Sequence, residues 1–190
     1  DYYSELNTEK FDYVIGSVHY VYKNGAYLCV DYSKDLFLKQ IDEYYNGDIS
    51  GFVKDYYSNV ADLNNKLNPD VIGHIDLVTK FNEGNCLFDE NAEEYLKCAY
   101  SAIESLCKKQ TFFEVNTGAI SRGYRTIPYP SFKLLRKIRE CGGEVVLSSD
   151  SHSKENVSYC FDEALKTVKS AGFERVAMMK SHEFIFVNIY

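Results

Sequence analysis

Short apolar segments alternate with amphipathic ones along this chain of 190 residues, and that alternation narrows the possible folds more than any other feature. Apolar and β-branched runs typical of buried strands lie at 11–19, 70–76, 111–116, 144–147, and about 175–179 and 184–189. Apolar spacings of three and four predict helices at about 33–45, 51–68, 90–109 and 130–141, and a last long helix capped by Ser153. Strands and helices that alternate in this way form right-handed βαβ units. The pattern therefore predicts an α/β fold with a parallel sheet or barrel.

A hairpin interrupts this alternation after the first strand. Asn24 and Gly25 lie between alternating apolar residues in segment 20–30, and this dipeptide suits a two-residue turn whose positions both need positive φ. We therefore expect the first strand to be followed by a hairpin and only then by a helix.

Histidines follow or end three of the predicted strands. His19 and His74 end the first and second of them, and Asp150 and His152 follow the strand at 144–147. Carboxyl ends of parallel strands converge where ligands bind, so we expect these side chains to be neighbours. Side chains two residues apart on a strand face the same way, which pairs Asp150 with His152. One such histidine is more often structural, but three in equivalent positions favour ligands for zinc, manganese or iron.

Other polar residues lie near the ends of the predicted strands. Asn116 ends the strand at 111–116 on the same face as Glu114, so both could line a pocket or be structural. Arg122 and Arg125 lie in the next loop, where they are either a solvated pair or a phosphate site, because guanidinium binds phosphate oxygens bidentately. Asp76 either ligates a metal or orients His74 through a hydrogen bond, and we favour the second role. His182 precedes a strand and is expected at the surface.

Charge and composition exclude several classes of protein. A formal charge of -7 and a pI near 5.1, with no large basic cluster, argue against binding to nucleic acid. No apolar run approaches the roughly 18 residues that span a bilayer. Six cysteines without a CxxC pair indicate reduced, buried thiols. We therefore expect one cytoplasmic domain, residues 1–190, with no membrane or nucleic-acid partner.

Four blocks in this order resemble the histidinol-phosphatase branch of the polymerase and histidinol phosphatase (PHP) superfamily. They read "FDYVIGSVHYV", "DVIGHIDLVTKFNE", "FEVNTGAISRGYRTIPYPS" and "VVLSSDSH", and the resemblance covers nearly the whole chain. It implies a distorted (βα)7 PHP-type barrel with up to three divalent metal ions, Zn, Mn or Fe, at the strand ends. It also implies hydrolysis of L-histidinol phosphate to L-histidinol and phosphate in histidine biosynthesis.

The resemblance also assigns roles by position. The implied metal ligands are His19, His74, Asp150 and His152, and Asp150 or His152 is the candidate for protonating the departing alkoxide. The implied phosphate-binding group is Arg122. Two further candidates for substrate binding are Arg125 and Asn116.

The chain departs from the family pattern at its start. The family opens with a strand bearing a His-x-His pair, then a further histidine and a glutamate, and none of these precedes the block at "DYYSELNTEKFDY". The resemblance therefore implies a barrel lacking its first βα units, and we expect exposed edges and self-association.

Other functions remain open at this point. A related phosphoesterase could act on another small phosphate, whereas a polymerase-associated nuclease is disfavoured by the acidic charge. A non-catalytic PHP remnant would bind metal or a partner without turnover. An α/β scaffold with structural histidines would bind no metal.

Overall fold

Eight strands form two sheets in this computed structural model, which describes residues 11–109 and 112–190. The strands are β1 (Ile15–Gly16), β2 (Tyr20–Lys23), β3 (Ala26–Cys29), β4 (Val71–Ile72), β5 (Phe112–Asn116), β6 (Glu144–Ser148), β7 (Arg175–Lys180) and β8 (Glu183–Asn188). The larger sheet has the order β1-β4-β5-β6-β7-β8, parallel from β1 to β7 with β8 antiparallel. The predicted α/β fold with a parallel sheet is confirmed. Within the described residues the sheet is open, with β1 and β8 at its two ends.

The predicted hairpin is confirmed as the second sheet. Strands β2 and β3 pair antiparallel around Asn24 and Gly25, whose φ angles are 48° and 86°. The hairpin buries Val21 and Leu28 on one face and exposes tyrosines on the other, as expected for a strand period of two.

Seven α-helices connect these strands in the described part of the chain. They are α1 (Lys34–Tyr45), α2 (Ile49–Ala61), α3 (Leu63–Lys66), α4 (Glu93–Leu106), α5 (Gly118–Ser121), α6 (Phe132–Glu140) and α7 (Phe161–Ser170). The bounds of α1 are explained by a capping hydrogen bond at its start and by the backbone conformation at its end. The Ser33 side chain accepts a hydrogen bond from the Leu36 amide at its start, and Asn46 ends the helix with a left-handed φ of 53°.

The last helix is shorter than the sequence predicted. Ser153 precedes only a short 3-10 turn, Lys154–Asn156, and its side chain makes no capping hydrogen bond. Ser158 and Cys160 have φ angles of 63° and 57°, which an α-helix cannot contain, so α7 begins at Phe161. The prediction of one helix from Ser153 was therefore wrong, and Val157 is exposed instead of packed.

Aromatic and aliphatic side chains from the hairpin, helices and sheet form one continuous core. Its largest fully buried members include Phe37, Phe52, Tyr56 and Phe113. A smaller cluster of Val71, Val146 and Ala177 lies on the sheet. Helix α4 packs against α2 and α6, and all three helices share the continuous core with the sheet. That residues 1–190 act as one domain stays a prediction.

The cysteines agree with the sequence prediction in one respect only. All six are free thiols, but Cys86 is exposed and the other five are partly exposed, so the expectation of buried thiols was wrong. Of the helices in residues 11–109 and 112–190, none is long and apolar enough to cross a membrane.

Candidate functional site

His19 and His74 lie past the carboxyl ends of neighbouring strands. Their rings are 5.0 Å apart between centroids and nearly perpendicular, at 85°. The parallel pairing of β1 with β4 brings them together, although they lie far apart in the sequence. His19 has a half-exposed side chain whose Nδ1 lies 3.2 Å from Asp31 Oδ2. The expected neighbourhood of these two histidines is thus present.

His74 is the more enclosed of the two rings. Its side chain is buried, and its backbone amide donates to Glu114 Oε2 at 2.8 Å. Its Nδ1 has no hydrogen-bond partner among the described residues. Burial lowers the pKa of His74, so the ring stays neutral near pH 7. A neutral, buried imidazole nitrogen without a partner is suited to ligating a metal ion.

Asp150 and His152 come together by a different route from the predicted one. Strand β6 ends at Ser148, and Asp150 has a left-handed φ of 44°, so strand alternation does not apply to these residues. The His152 Nδ1 nevertheless lies 2.9 Å from the Asp150 carbonyl oxygen. The turn after the strand, not the strand itself, pairs the two residues.

Arg122 bridges this pair. Its Nη2 donates to Asp150 Oδ2 at 2.9 Å, and its Nη1 donates to the Asp150 carbonyl at 2.9 Å and lies 3.3 Å from His152 Nδ1. Gly118 allows this approach, because an added Cβ would lie 2.7 Å from Arg122 Nη2 and 3.0 Å from Asp150 Cβ. Three of the predicted site residues therefore form one contact group.

Asn116 shapes the loop that carries Arg122. It is buried at the end of β5, and its Oδ1 accepts a hydrogen bond from the Gly118 amide at 2.8 Å. The turn that follows leads into α5 and then to Arg122. The Nδ2 of Asn116 has no partner within the described ranges.

Lys80 and Asp31 also belong to this region and were missed from the sequence. Lys80 Nζ donates to the Asp31 carbonyl at 2.6 Å and lies 4.5 Å from the centroid of the Tyr124 ring. Burial lowers the pKa of Lys80, and the charges of Asp31, Arg122 and Asp150 also act on it. The available signals were a lysine soon after the second histidine-bearing strand and an aspartate at the hairpin's end.

Arg125 lies outside the Arg122 group. It is buried, and its Nη1 donates to Glu90 Oε1 at 2.7 Å and to the Thr79 carbonyl at 2.8 Å. Its Nη2 donates to Glu90 Oε2 at 3.1 Å. This cation neutralises the nearly buried Glu90 carboxylate and ties the loop to neighbouring segments.

Asp76 makes a hydrogen bond to the loop that carries Arg125, and none to His74 among the described residues. Its Oδ2 accepts a hydrogen bond from the Ser131 amide at 2.8 Å, whereas Oδ1 has no partner in the described part of the chain. Burial raises the pKa of Asp76 to about 7. The favoured sequence interpretation, a hydrogen bond that orients His74, is wrong for the described residues.

His182 is exposed and contacts Asp12, as expected for a surface residue.

The side chains gathered here are of the kinds that bind a transition metal, but the described residues bring only some of them close together. Imidazole and carboxylate ligands fit zinc, manganese or iron, and the His74 Nδ1 has no hydrogen-bond partner among the described residues. Among the described residues, however, no three His, Cys, Asp or Glu side chains converge closely enough to hold one ion.

Comparisons with known proteins agree on one family. The PHP domain family model matches residues 2–118. A probable histidinol-phosphatase from Schizosaccharomyces pombe is 32% identical over 184 residues, covering 92% of this chain and 56% of that protein. One from Deinococcus radiodurans is 30% identical over 162 residues, covering 85% and 55%. The chain thus spans about half the length of these curated relatives.

A solved structure shows the same fold. Histidinol phosphate phosphatase from Lactococcus lactis, complexed with zinc, L-histidinol and phosphate, superposes with a TM-score of 0.65 and 20% identity, covering 97% of this chain and 67% of that one. At this identity the likeness concerns the fold alone.

Proposed function

Because this chain belongs to the PHP domain family, we propose that it contributes to a metal-dependent phosphatase that hydrolyses L-histidinol phosphate to L-histidinol and phosphate in histidine biosynthesis. The observation that carries the proposal is the contact group of Arg122, Asp150 and His152, which follows the carboxyl end of β6 as the paired rings of His19 and His74 follow those of β1 and β4. The histidinol-phosphatase relatives support the substrate.

Four residues of this chain would hold the divalent ions. They are His19, His74, Asp150 and His152, and zinc, manganese or iron would suit them. Such an ion, when bound, supplies Lewis-acid polarisation of a phosphoryl oxygen. His74 contributes a neutral nitrogen at Nδ1, and Glu114 fixes the backbone from which that ring projects.

Arg122 would bind the phosphoryl group. Its side chain is only partly exposed, and its two terminal nitrogens already point at the Asp150 and His152 pair. A guanidinium there can neutralise charge on phosphoryl oxygens through two parallel hydrogen bonds. Lys80 adds a second positive charge near His19, because its Nζ donates to the carbonyl of Asp31, whose carboxylate contacts His19. Arg125 is committed to Glu90, so we assign it a supporting role in the loop.

Proton transfer to the leaving alkoxide would fall to Asp150 or His152. The Nδ1 of His152 faces the Asp150 carbonyl and Arg122, which leaves Nε2 as the ring atom for ligation or proton transfer. Asn116 would act indirectly, because its Oδ1 shapes the turn that presents Arg122.

Two alternatives remain within the same family. The site could accept another small phosphate ester. The chain could also bind metal or a partner without turnover, an alternative favoured by the partial ligand set of the described residues.

We also propose a cytoplasmic location, one domain over residues 1–190, and self-association through the open sheet edges at β1 and β8. Light scattering that shows a clean monomer would contradict the last point.

The test combines metal content with phosphate release. The chain is loaded with Zn²⁺ or Mn²⁺, freed of excess ion, analysed for metal and assayed with L-histidinol phosphate and with phosphoserine. We expect His74→Ala to lower metal content. We expect Arg122→Ala to keep metal but to lower kcat/KM by about 100-fold, as for loss of a donor to transition-state charge. Arg136→Ala, on the exposed face of α6, is the matched control.

Each outcome separates the alternatives. Preference for L-histidinol phosphate supports the proposal, and equal turnover of phosphoserine favours a broader phosphatase. Metal binding without turnover favours the non-catalytic alternative. Metal content unchanged by His74→Ala would contradict the ligand assignment.

A further inference from the structure

The carboxylate of Asp31 lies beside His19, one of the four implied metal ligands. Its Oδ2 is 3.2 Å from His19 Nδ1, and its side chain is 24% exposed, against 44% for His19. An ionised carboxylate can only accept hydrogen bonds, so this contact favours a neutral His19 ring with its proton on Nδ1. The free lone pair of that ring is then on Nε2. Asp31 therefore decides which nitrogen of His19 is available to a metal ion.

The hairpin of β2 and β3 explains how Asp31 reaches His19. The two residues are 12 positions apart, and the hairpin begins directly after His19 and ends at Cys29. Its hydrogen bonding continues past the strands, because the Val30 amide donates to the His19 carbonyl at 2.9 Å. The next residue, Asp31, consequently leaves the hairpin beside His19. The hairpin thus returns a carboxylate to the histidine that precedes it.

Contacts with three other side chains hold Asp31 in this place. Gln40 of α1 makes two hydrogen bonds of 2.8 Å with the backbone amide and carbonyl of Cys29. The Lys80 Nζ donates to the Asp31 carbonyl at 2.6 Å. The Cys29 Sγ lies 3.7 Å from Asp31 Oδ1, the oxygen that does not contact His19. The position of the carboxylate therefore does not depend on the His19 contact alone.

The other two implied histidine ligands have different surroundings at Nδ1. The His74 Nδ1 has no partner among the described residues. The His152 Nδ1 lies 2.9 Å from the backbone carbonyl oxygen of Asp150. In the described part of the chain, His19 is the implied histidine ligand whose Nδ1 contacts a carboxylate.

We propose that Asp31 is a positioning residue for metal binding, which holds the proton of His19 on Nδ1 and so presents Nε2 to a divalent ion. The inference rests on the proposed function for the role of His19 and adds a residue that the sequence interpretation left without a role. A carboxylate partner on the second nitrogen of a ligating histidine fixes the orientation of the ring and makes it a stronger donor. Loss of such a partner typically weakens metal binding by about 10–100-fold.

The competing explanation is a surface ion pair with no part in ligation. Partly exposed pairs of this kind contribute little to stability. This explanation predicts that removal of the Asp31 carboxylate changes neither the tautomer of neutral His19 nor the affinity for metal.

The first measurement is the tautomer of His19, read by nitrogen-15 NMR of the full metal-free chain at pH 8, where an ordinary imidazole is neutral. The His19 signals are identified by their absence from His19→Ala. We expect the proton on Nδ1 in the unsubstituted protein and a shift towards protonation of Nε2 in Asp31→Ala. Asp42→Ala, which removes an exposed carboxylate of α1, should leave the tautomer unchanged.

The second measurement is Zn²⁺ affinity, determined by competition with a coloured chelator and without substrate. We expect Asp31→Ala to bind Zn²⁺ about 10–100-fold more weakly than the unsubstituted chain. We expect the Asp42→Ala control to bind it with unchanged affinity.

Two results would overturn the proposal. One is a proton on Nε2 of His19 in the unsubstituted protein, a result that requires no Asp31 variant to fold. The other is equal Zn²⁺ affinity of Asp31→Ala and the unsubstituted chain. Absence of Zn²⁺ binding by the unsubstituted chain would overturn the proposal together with the ligand assignment. Zn²⁺ binding without phosphate release would instead contradict the proposed activity alone.

Discussion

The buried contact between Tyr57 and Tyr95 provides a quantitative test of how α2 and α4 are held together. Their hydroxyl oxygens are 2.8 Å apart, and the two residues are only 2% and 5% exposed. Their rings also meet edge to face at 5.7 Å between centroids. Replacing either tyrosine by phenylalanine keeps the ring contact and removes one hydroxyl.

The expected magnitudes follow from what each change leaves behind. Tyr57→Phe leaves the Tyr95 hydroxyl buried without its partner, which costs about 1–3 kcal/mol, and Tyr95→Phe has the converse effect. The double variant removes both polar groups, so it should cost clearly less than the sum of the single changes. The difference, an interaction energy of about 1–2 kcal/mol, is within the range measured for residues in contact.

The assay is urea unfolding of the four proteins, with Tyr190→Phe as the control because that residue is almost fully exposed. In a chain of this size, each kcal/mol should also lower the melting temperature by roughly 2–4 °C. The reasoning would be refuted if the double variant lost as much stability as both single variants added together.

Three further changes test the loop, the hairpin and one close contact, each by the free energy of unfolding. Arg125→Met should cost about 3–5 kcal/mol because it leaves Glu90 nearly buried and unpaired, and a loss below 1 kcal/mol would count against a structural role. Gln40→Ala should cost about 1–3 kcal/mol, since Gln40 makes two 2.8 Å hydrogen bonds with the backbone of Cys29, and an unchanged midpoint would argue against them. Gly143→Ala should cost about 1–3 kcal/mol because its Cβ would lie 2.7 Å from a buried α6 side chain, and a stabilised variant would refute this packing.

The site residues expected from the sequence fall into two groups. Converging strand ends bring one group together, and a local turn of the backbone brings the other together. His19 and His74 could be paired from the sequence because parallel strand ends converge, and their rings are 5.0 Å apart. Asp150 and His152 were paired correctly for the wrong reason, since a left-handed residue and not strand alternation brings them together. Local backbone conformation of this kind leaves no periodic signal.

The sequence alone determined the α/β class, the parallel sheet and the hairpin through its hydrophobic periodicity. The residues at its strand ends also defined the group from which the site is drawn. These features depend on local spacing, which a sequence displays directly. The tertiary structure alone decided that Arg122 joins Asp150 while Arg125 joins Glu90, and that Lys80 donates to the Asp31 carbonyl. These contacts join side chains 28 and 35 residues apart. A charged side chain finds its partner only when the packed sheet and loops bring it there, so no local pattern distinguishes the two arginines.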